Sequence, residues 1–320
     1  MHSASSCTME RMYSRSLRRL GAPRAMSATG GMVPSLVWSA LLVALMAGVY
    51  LIAVQTPWGQ DLDQRAFLTL RGTGATADVP HVVGLGSVTD VRLWLVSIVA
   101  IVGLGLLAGR RLSIAPLLAL PVVSILITQF LRDELLTRAD FDGFSWAMNT
   151  FPSGHAAAAA GCVAAIVRAA PRRIAPFLAV AGVGWLTLVS QDLMVWGWHR
   201  PSDLLGSILL AAALMHLVPG ATGGASRGSA MRGRTFIAVL TALAAAVGPL
   251  LWAVATDHLA VAPVGLVAAV AMASLVADGG PADRRRVSRV ARGTDHERVK
   301  PSDSARGQQY HRGRITAGIE

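Results

Sequence analysis

Eight apolar stretches run through this chain, at 33–54, 90–108, 113–131, 155–170, 174–195, 203–218, 235–255 and 258–277. A bilayer core about 30 Å thick takes about 20 apolar residues per helix. Lipid leaves helices and closed barrels as the only ways to satisfy a spanning backbone. The prediction is therefore an all-α fold, a polytopic membrane helix bundle of about eight spans, with those at 155–170 and 203–218 the shortest. Only 15% of the residues are charged, and the mean hydropathy is +0.51. Both values exclude a soluble globule.

Arginines choose the orientation, because basic residues collect on the cytoplasmic side. Arg11, Arg15, Arg18, Arg19 and Arg24 precede the first span, and Arg110 and Arg111 follow the second. Arg168, Arg172 and Arg173 follow the fourth, and Arg227, Arg232 and Arg234 follow the sixth. Arg284, Arg285, Arg286, Arg289 and Arg292 follow the eighth. Every alternate connection is basic, so both termini are expected in the cytoplasm of a multi-pass cell-membrane protein. The loops at 55–89, 132–154, 196–202 and 256–257 are then expected outside. The net charge of +11 reflects these loops and tails and their contact with anionic lipid headgroups, so no nucleic-acid partner is expected.

The first span follows a basic lead, as in a signal peptide, but its apolar run is too long for the apolar region of a cleaved one and is expected to be an anchor. Met9, Met12, Met26 and Met32 each offer an alternative start. Residues 1–31 read as a basic tail, 219–234 as a flexible Gly/Ser-rich cytoplasmic linker, 235–278 as an accessory hairpin, and 279–320 as a disordered basic tail. Cys7 and Cys162 fall in a tail and a span, and form neither a disulfide nor a metal framework. The outer loop 55–89 carries Asp61, Asp63, Arg65, Arg71 and His81, and reads as solvated but long enough to flank a site.

Three elements that can do chemistry fall on the outer side. Phe151–His155, Phe-Pro-Ser-Gly-His, opens onto an alanine-rich helix. Pro152 and Ser153 are helix-start residues, and Gly154 lets a ligand approach the backbone. The free N–H groups and the positive dipole end receive a phosphate, and His155 stands where it can protonate a leaving oxygen. A helix cap with an incidental histidine would use the same residues. In the second element, His199 and Asp203 are four apart and share a helix face. A carboxylate accepting one imidazole N–H fixes the tautomer and leaves the other nitrogen as nucleophile or base. An interfacial histidine beside a helix-start Asp is the alternative. Third, Arg132 and Arg138 lie outside, against the positive-inside bias. Their guanidiniums can hold phosphate oxygens in pairs, or they can pair with Asp133, Glu134, Asp140 or Asp142.

Basic residues, then Pro-Ser-Gly-His, then His-x-x-x-Asp, all on one side of a membrane, resemble the type 2 phosphatidic acid phosphatase (PAP2) superfamily of lipid phosphatases, as a divergent bacterial-type member. The resemblance covers roughly residues 55–218 and implies a PAP2-like core within 32–218 of about six membrane helices. It implies that His199 attacks phosphorus, that Asp203 orients His199, and that His155 is the general acid. It further implies that Arg132, Arg138, Ser153 and Gly154 bind the phosphoryl oxygens, with no metal or other cofactor.

The chain departs from that pattern in two places. The family's leading Lys is matched by Arg132 and its Pro by Ala139; the only lysine is Lys300. The third motif begins Ser-Arg in the family, and Asp192 and Leu193 stand there instead. Losing one such donor costs roughly 2–4 kcal/mol of transition-state stabilisation; Arg200, Arg65 or Arg71 are candidates to replace it. For Asp192, pairing with an outer arginine such as Arg200 or Arg138 is the cheapest arrangement.

The expected function is an integral membrane phosphatase acting on a lipid phosphate or diphosphate, of polyprenyl diphosphate or phosphatidic-acid-like class. Its expected partners are that substrate and the surrounding membrane lipids. Trp146, Trp196 and Trp198 line the outer edge, as interfacial anchors or as a route for lipid. A non-catalytic lipid-phosphate binding or scaffold protein is the alternative, supported by Asp192 and Leu193. A transporter would place its polar groups at mid-membrane, whereas here they gather at helix ends.

Overall fold

Each predicted apolar stretch folds as a helix with bounds close to those read from the sequence. The computed structural model describes residues 29–71, 91–141, 148–218 and 229–278. The elements are α1 (Thr29–Val49, continued by a π-helical turn at Tyr50–Val54), α2 (Pro57–Leu68), α3 (Val91–Leu107), and α4 (Ile114–Phe130, continued by a π-helical turn at Leu131–Leu135). They continue with α5 (Gly154–Ala169), α6 (Ala175–Val195), α7 (Pro201–Leu217), α8 (Ser229–Ala255) and α9 (Ala262–Ala277). No strand occurs among the described residues. The tails, His81, Asp142, Trp146 and residues 219–228 of the linker lie outside them.

Among the described residues five segments are long and apolar enough to cross a membrane: Pro34–Val54, Arg111–Leu135, Ala175–Val195, Thr235–Ala255 and Leu259–Ala277. The shorter apolar helices α3, α5 and α7 complete the eight stretches. This is the composition of a membrane-embedded protein. Exposed Leu, Val and Phe side chains cover the outward faces of α1, α3, α4 and α8, as lipid contact requires.

Helices α5 and α7 form the centre. Ala156 to Ala160 are all buried, and small side chains let neighbouring helices approach closely. Helix α5 packs on α3, α4, α6 and α7, and α7 packs on α1, α5 and α9. Gly206 of α7 receives the Phe151 ring, which is fully buried. A Cβ at position 206 would lie 2.5 Å from two atoms of that ring, so glycine is required there. The contact seats the segment leading into α5 against α7.

Two expectations are corrected. The loop expected over 55–89 contains helix α2. Thr56 caps it by accepting from Gly59 N, and Pro57 occupies its first turn, where a missing N–H costs nothing. The linker expected through 234 gives way to helix at Ser229, because Ala230, Met231 and Arg232 are good helix formers.

The end of α9 ties four helices together. Asp278 accepts from Ser35 Oγ of α1 at 2.9 Å, pairs with Arg168 of α5 at 3.0 Å, and lies 3.3 Å from His216 Nδ1 of α7. Burial opposes ionisation of Asp278, but His216 and Arg168 outweigh it and hold its carboxyl below the ordinary range. Breaking a buried pair from one side leaves the other charge uncompensated, at about 3 kcal/mol. Asp278→Asn should therefore clearly lower the thermal unfolding midpoint at pH 7 in detergent. An unchanged midpoint would show that the pair contributes nothing.

Candidate active site

The start of α7 places the first residues of the site. Arg200 is its N-cap, and Asp203 reaches back to accept the Arg200 backbone N–H at 2.9 Å. That one-sided cap folds the Asp203 carboxylate under His199, whose Nδ1 lies 3.5 Å from Asp203 Oδ2. This is long for a hydrogen bond, and such contacts tighten when charge develops on the ring. With Nδ1 turned to Asp203, Nε2 is the nitrogen left for chemistry. The turn before His199 is held from behind, because the Trp198 and His199 N–H groups both donate to the Leu193 carbonyl, at 3.0 and 3.3 Å. Gly197 makes that turn possible with φ +76, a conformation that other residues adopt only at a cost.

His155 comes from the first turn of α5. Its ring centroid is 5.8 Å from that of His199 and 5.4 Å from that of Trp198. The Phe151–Pro152 peptide is cis. Ser153 caps α5: its hydroxyl accepts from Ala156 N at 3.2 Å, and its N–H donates to the Asp203 carbonyl at 3.2 Å. The Ser153 N–H is thus committed, while its hydroxyl hydrogen and the Gly154 and His155 N–H groups are the open donors of the helix start. A Cβ at Gly154 would meet nothing within 4 Å. Packing does not demand glycine there, and the space beside it is open.

Two of the predicted cations behave differently from each other. Arg138 turns inward. Its side chain is 3% exposed, and Nη2 lies 3.9 Å from Oδ1 of Asp203, itself fully buried. Neither Arg138 Nε nor Nη2 has a hydrogen-bond partner among the described residues, and neither does that carboxylate oxygen. Arg132 turns to Asp133 at 2.7 Å, the local pairing that was the alternative for it. Arg200 donates from Nε to Gln64 Oε1 at 2.9 Å and from Nη1 to Thr150 Oγ1 at 3.4 Å. Burial and the neighbouring Arg138 guanidinium push the Arg200 pKa down. Arg65 forms an exposed pair with Asp61 at 2.7 Å, worth little at a solvated surface. Arg71 stacks over Phe67, 5.7 Å from the ring centroid.

The sequence reading missed several residues of the site. Thr150 Oγ1 donates to Asp203 Oδ2 at 2.7 Å. Its sequence signal is weak, a lone hydroxyl directly before Phe-Pro-Ser-Gly-His. Asn149 Nδ2 donates to the Arg132 and Leu136 carbonyls, at 3.2 and 2.7 Å, and so ties the arginine segment to the Pro-Ser-Gly-His segment. Asp63, read as a loop charge, is buried beside Ser202, accepting from its backbone N–H at 2.9 Å and its hydroxyl at 2.6 Å. Among the described residues no three His, Cys, Asp or Glu converge as a metal site.

The family model of the PAP2 superfamily matches residues 120–225. Those residues are the chain's PAP2-like domain. The domain holds Arg132, Arg138, Pro-Ser-Gly-His and His-x-x-x-Asp, and α1, α2 and α3 lie before it. No curated protein and no solved structure matches the chain. The PAP2-superfamily match and the long apolar helices together support a phosphatase-type function on lipid. At the third motif, Leu193 is buried in the core of the bundle, so only its carbonyl serves the site.

Two results are expected from the PAP2 site. Gly154→Ala should leave the unfolding midpoint unchanged or slightly higher, since alanine is worth up to about 1 kcal/mol over glycine in a helix. The same change should cut turnover at least about tenfold if a phosphoryl group approaches that backbone, a loss read as phosphate release per folded protein. The second result concerns Asp63. Burial, with the nearby Asp203 charge, raises its pKa to about 6. The folded state therefore holds the proton more tightly than the unfolded chain, whose value is about 4. Stability from this group is greatest below about pH 4 and is lost as pH rises through about 6. The wild-type protein should gain about 2–3 kcal/mol relative to Asp63→Asn between pH 7 and pH 4, read as diverging unfolding midpoints. Parallel midpoints would show that Asp63 ionises normally.

Proposed function

We propose that this protein is an integral membrane lipid phosphatase that hydrolyses a lipid phosphomonoester or diphosphate through a phosphohistidine. The observation that carries the reading is the pairing of the Asp203-held His199 with His155, their rings 5.8 Å apart. A phosphorus atom about 3–3.5 Å from the attacking nitrogen, with its leaving oxygen a hydrogen bond from the second imidazole, fits that spacing. His199 Nε2 attacks phosphorus, and the bond to the leaving oxygen breaks. That oxygen takes a proton from His155. Asp203 holds His199 through Nδ1 and stabilises the positive charge on its ring. Water then attacks the phosphohistidine, gives its proton to His155, and releases phosphate and free His199.

The oxyanion partners in this reading are Arg138, whose buried Nε and Nη2 have no partner among the described residues, and the Gly154 and His155 N–H groups. Arg200 adds positive charge directly after His199, and Ser153 serves through its cap. Arg132 contributes its field from the rim. The alternation of basic connections supports an extracytoplasmic position for this end of the bundle, with both termini in the cytoplasm. A lipid in the outer leaflet, of polyprenyl diphosphate or phosphatidic-acid-like class, is then the substrate.

The experiment is phosphate release by the purified full chain in detergent, with EDTA, from a polyprenyl diphosphate and from a phosphatidic acid. Release from either one supports the reading, and the faster ranks the substrates. Buried Leu193, standing where the family pattern has Arg, favours a second reading as a lipid-phosphate binding protein. Saturable phosphatidic acid binding without release would select it.

A further inference from the structure

Helix α2 is built inside out. Gln60, Asp63 and Phe67 are buried, while Trp58, Leu62 and Leu68 are exposed. A helix lying along a bilayer surface turns its apolar face to lipid, which leaves its polar face for the protein. Gln60, Asp63 and Gln64 follow the i, i+3, i+4 pattern and share that face. Each is spent on a different part of the site.

Gln60 Nε2 donates to the Ala139 carbonyl at 2.8 Å and to the Val54 carbonyl at 2.8 Å. The carbonyl on the other side of Arg138, that of Thr137, accepts from Tyr50 Oη at 2.8 Å and from the Gln55 amide. Both neighbours of Arg138 are therefore held from residues 50–60. Asp63 accepts both the backbone N–H and the hydroxyl of Ser202, at 2.9 and 2.6 Å. It caps the first turn of α7 from another helix, one residue before Asp203. Gln64 accepts Arg200 Nε at 2.9 Å, one residue after His199. All three lie outside the matched family region of 120–225.

We infer that α2, through Gln60, Asp63 and Gln64, is a positioning element for phosphoryl transfer, setting Arg138 and the start of α7 at the spacing His199 and Asp203 need. The inference rests on the phosphatase reading above. A misplacement of about 1 Å can cost about 10²-fold in rate. Gln64→Ala and Asp63→Asn should therefore lower kcat about 10- to 100-fold per folded protein, with KM for phosphatidic acid within about twofold. Gln64→Glu, which keeps an acceptor for Arg200, should restore most of the rate. In an Asp203→Asn background, Gln64→Ala should add little, because residues acting through one another are not additive.

Equal losses in both backgrounds, or a kcat loss that only tracks lost folded protein, would overturn the inference. If the wild-type chain releases no phosphate, the phosphatase reading fails by itself. Amide hydrogen exchange over residues 200–204 then decides for α2 separately. Faster exchange in Asp63→Asn than in wild type supports the clamp, and equal exchange overturns it.

Discussion

His199→Ala should abolish phosphate release, lowering kcat by about 10⁴-fold or more, with little change in stability. Its ring makes no short hydrogen bond that the fold depends on: Nδ1 sits 3.5 Å from Asp203, and the segment is held by its backbone N–H to Leu193. Removing the imidazole removes the atom that accepts the phosphoryl group. What remains is Arg138, the helix start and His155, which bind but do not attack. Lipid binding should therefore survive in the variant. Residual turnover within about tenfold of wild type would mean that His199 is not the nucleophile.

Asp203→Asn should be almost as severe, at roughly 10³- to 10⁴-fold in kcat, as expected when the group holding a catalytic imidazole loses its charge. Four groups meet this side chain. Thr150 Oγ1 and the Arg200 N–H donate to Oδ2, His199 Nδ1 approaches the same oxygen, and Arg138 faces Oδ1. An amide presents one oxygen and one NH₂, so at least one of these partners meets a donor instead of an acceptor. It also removes the carboxylate facing buried Arg138 and the charge that stabilises a His199 cation. The loss should fall mainly on kcat, because the lipid's contacts are elsewhere. A large rise in KM with kcat preserved would make Asp203 a binding residue.

The apolar helices were legible because lipid imposes a length and a composition that nothing else imitates. The two histidine motifs were legible for a related reason: ionisable groups at the mouths of apolar helices are costly to keep. Helix α2 was not. Its buried face carries Gln60 and Asp63 beside Phe67, and its exposed face carries Trp58, Leu62 and Leu68 beside Arg65, so its charges read as a solvated loop while Asp63 in fact points into the protein. Arg132 and Arg138 look equivalent in sequence. Only the fold turns one toward Asp203 and the other toward its neighbour Asp133. Thr150 was hidden for the opposite reason, because a lone hydroxyl before a strong motif carries little signal until Asp203 is placed beside it. At Leu193 the bundle fills with core packing the place where the sequence pattern led one to expect a cation.

The central claim is that phosphorus passes through His199. The most direct measurement is to quench the full chain during turnover of a lipid labelled with ³²P at its terminal phosphate, and to map the bound label. The account predicts a protein-bound phosphate that is stable to base, labile to acid, located on His199, and lacking in His199→Ala. A turnover-competent protein that never carries label at His199, or carries it on another residue, would contradict the account.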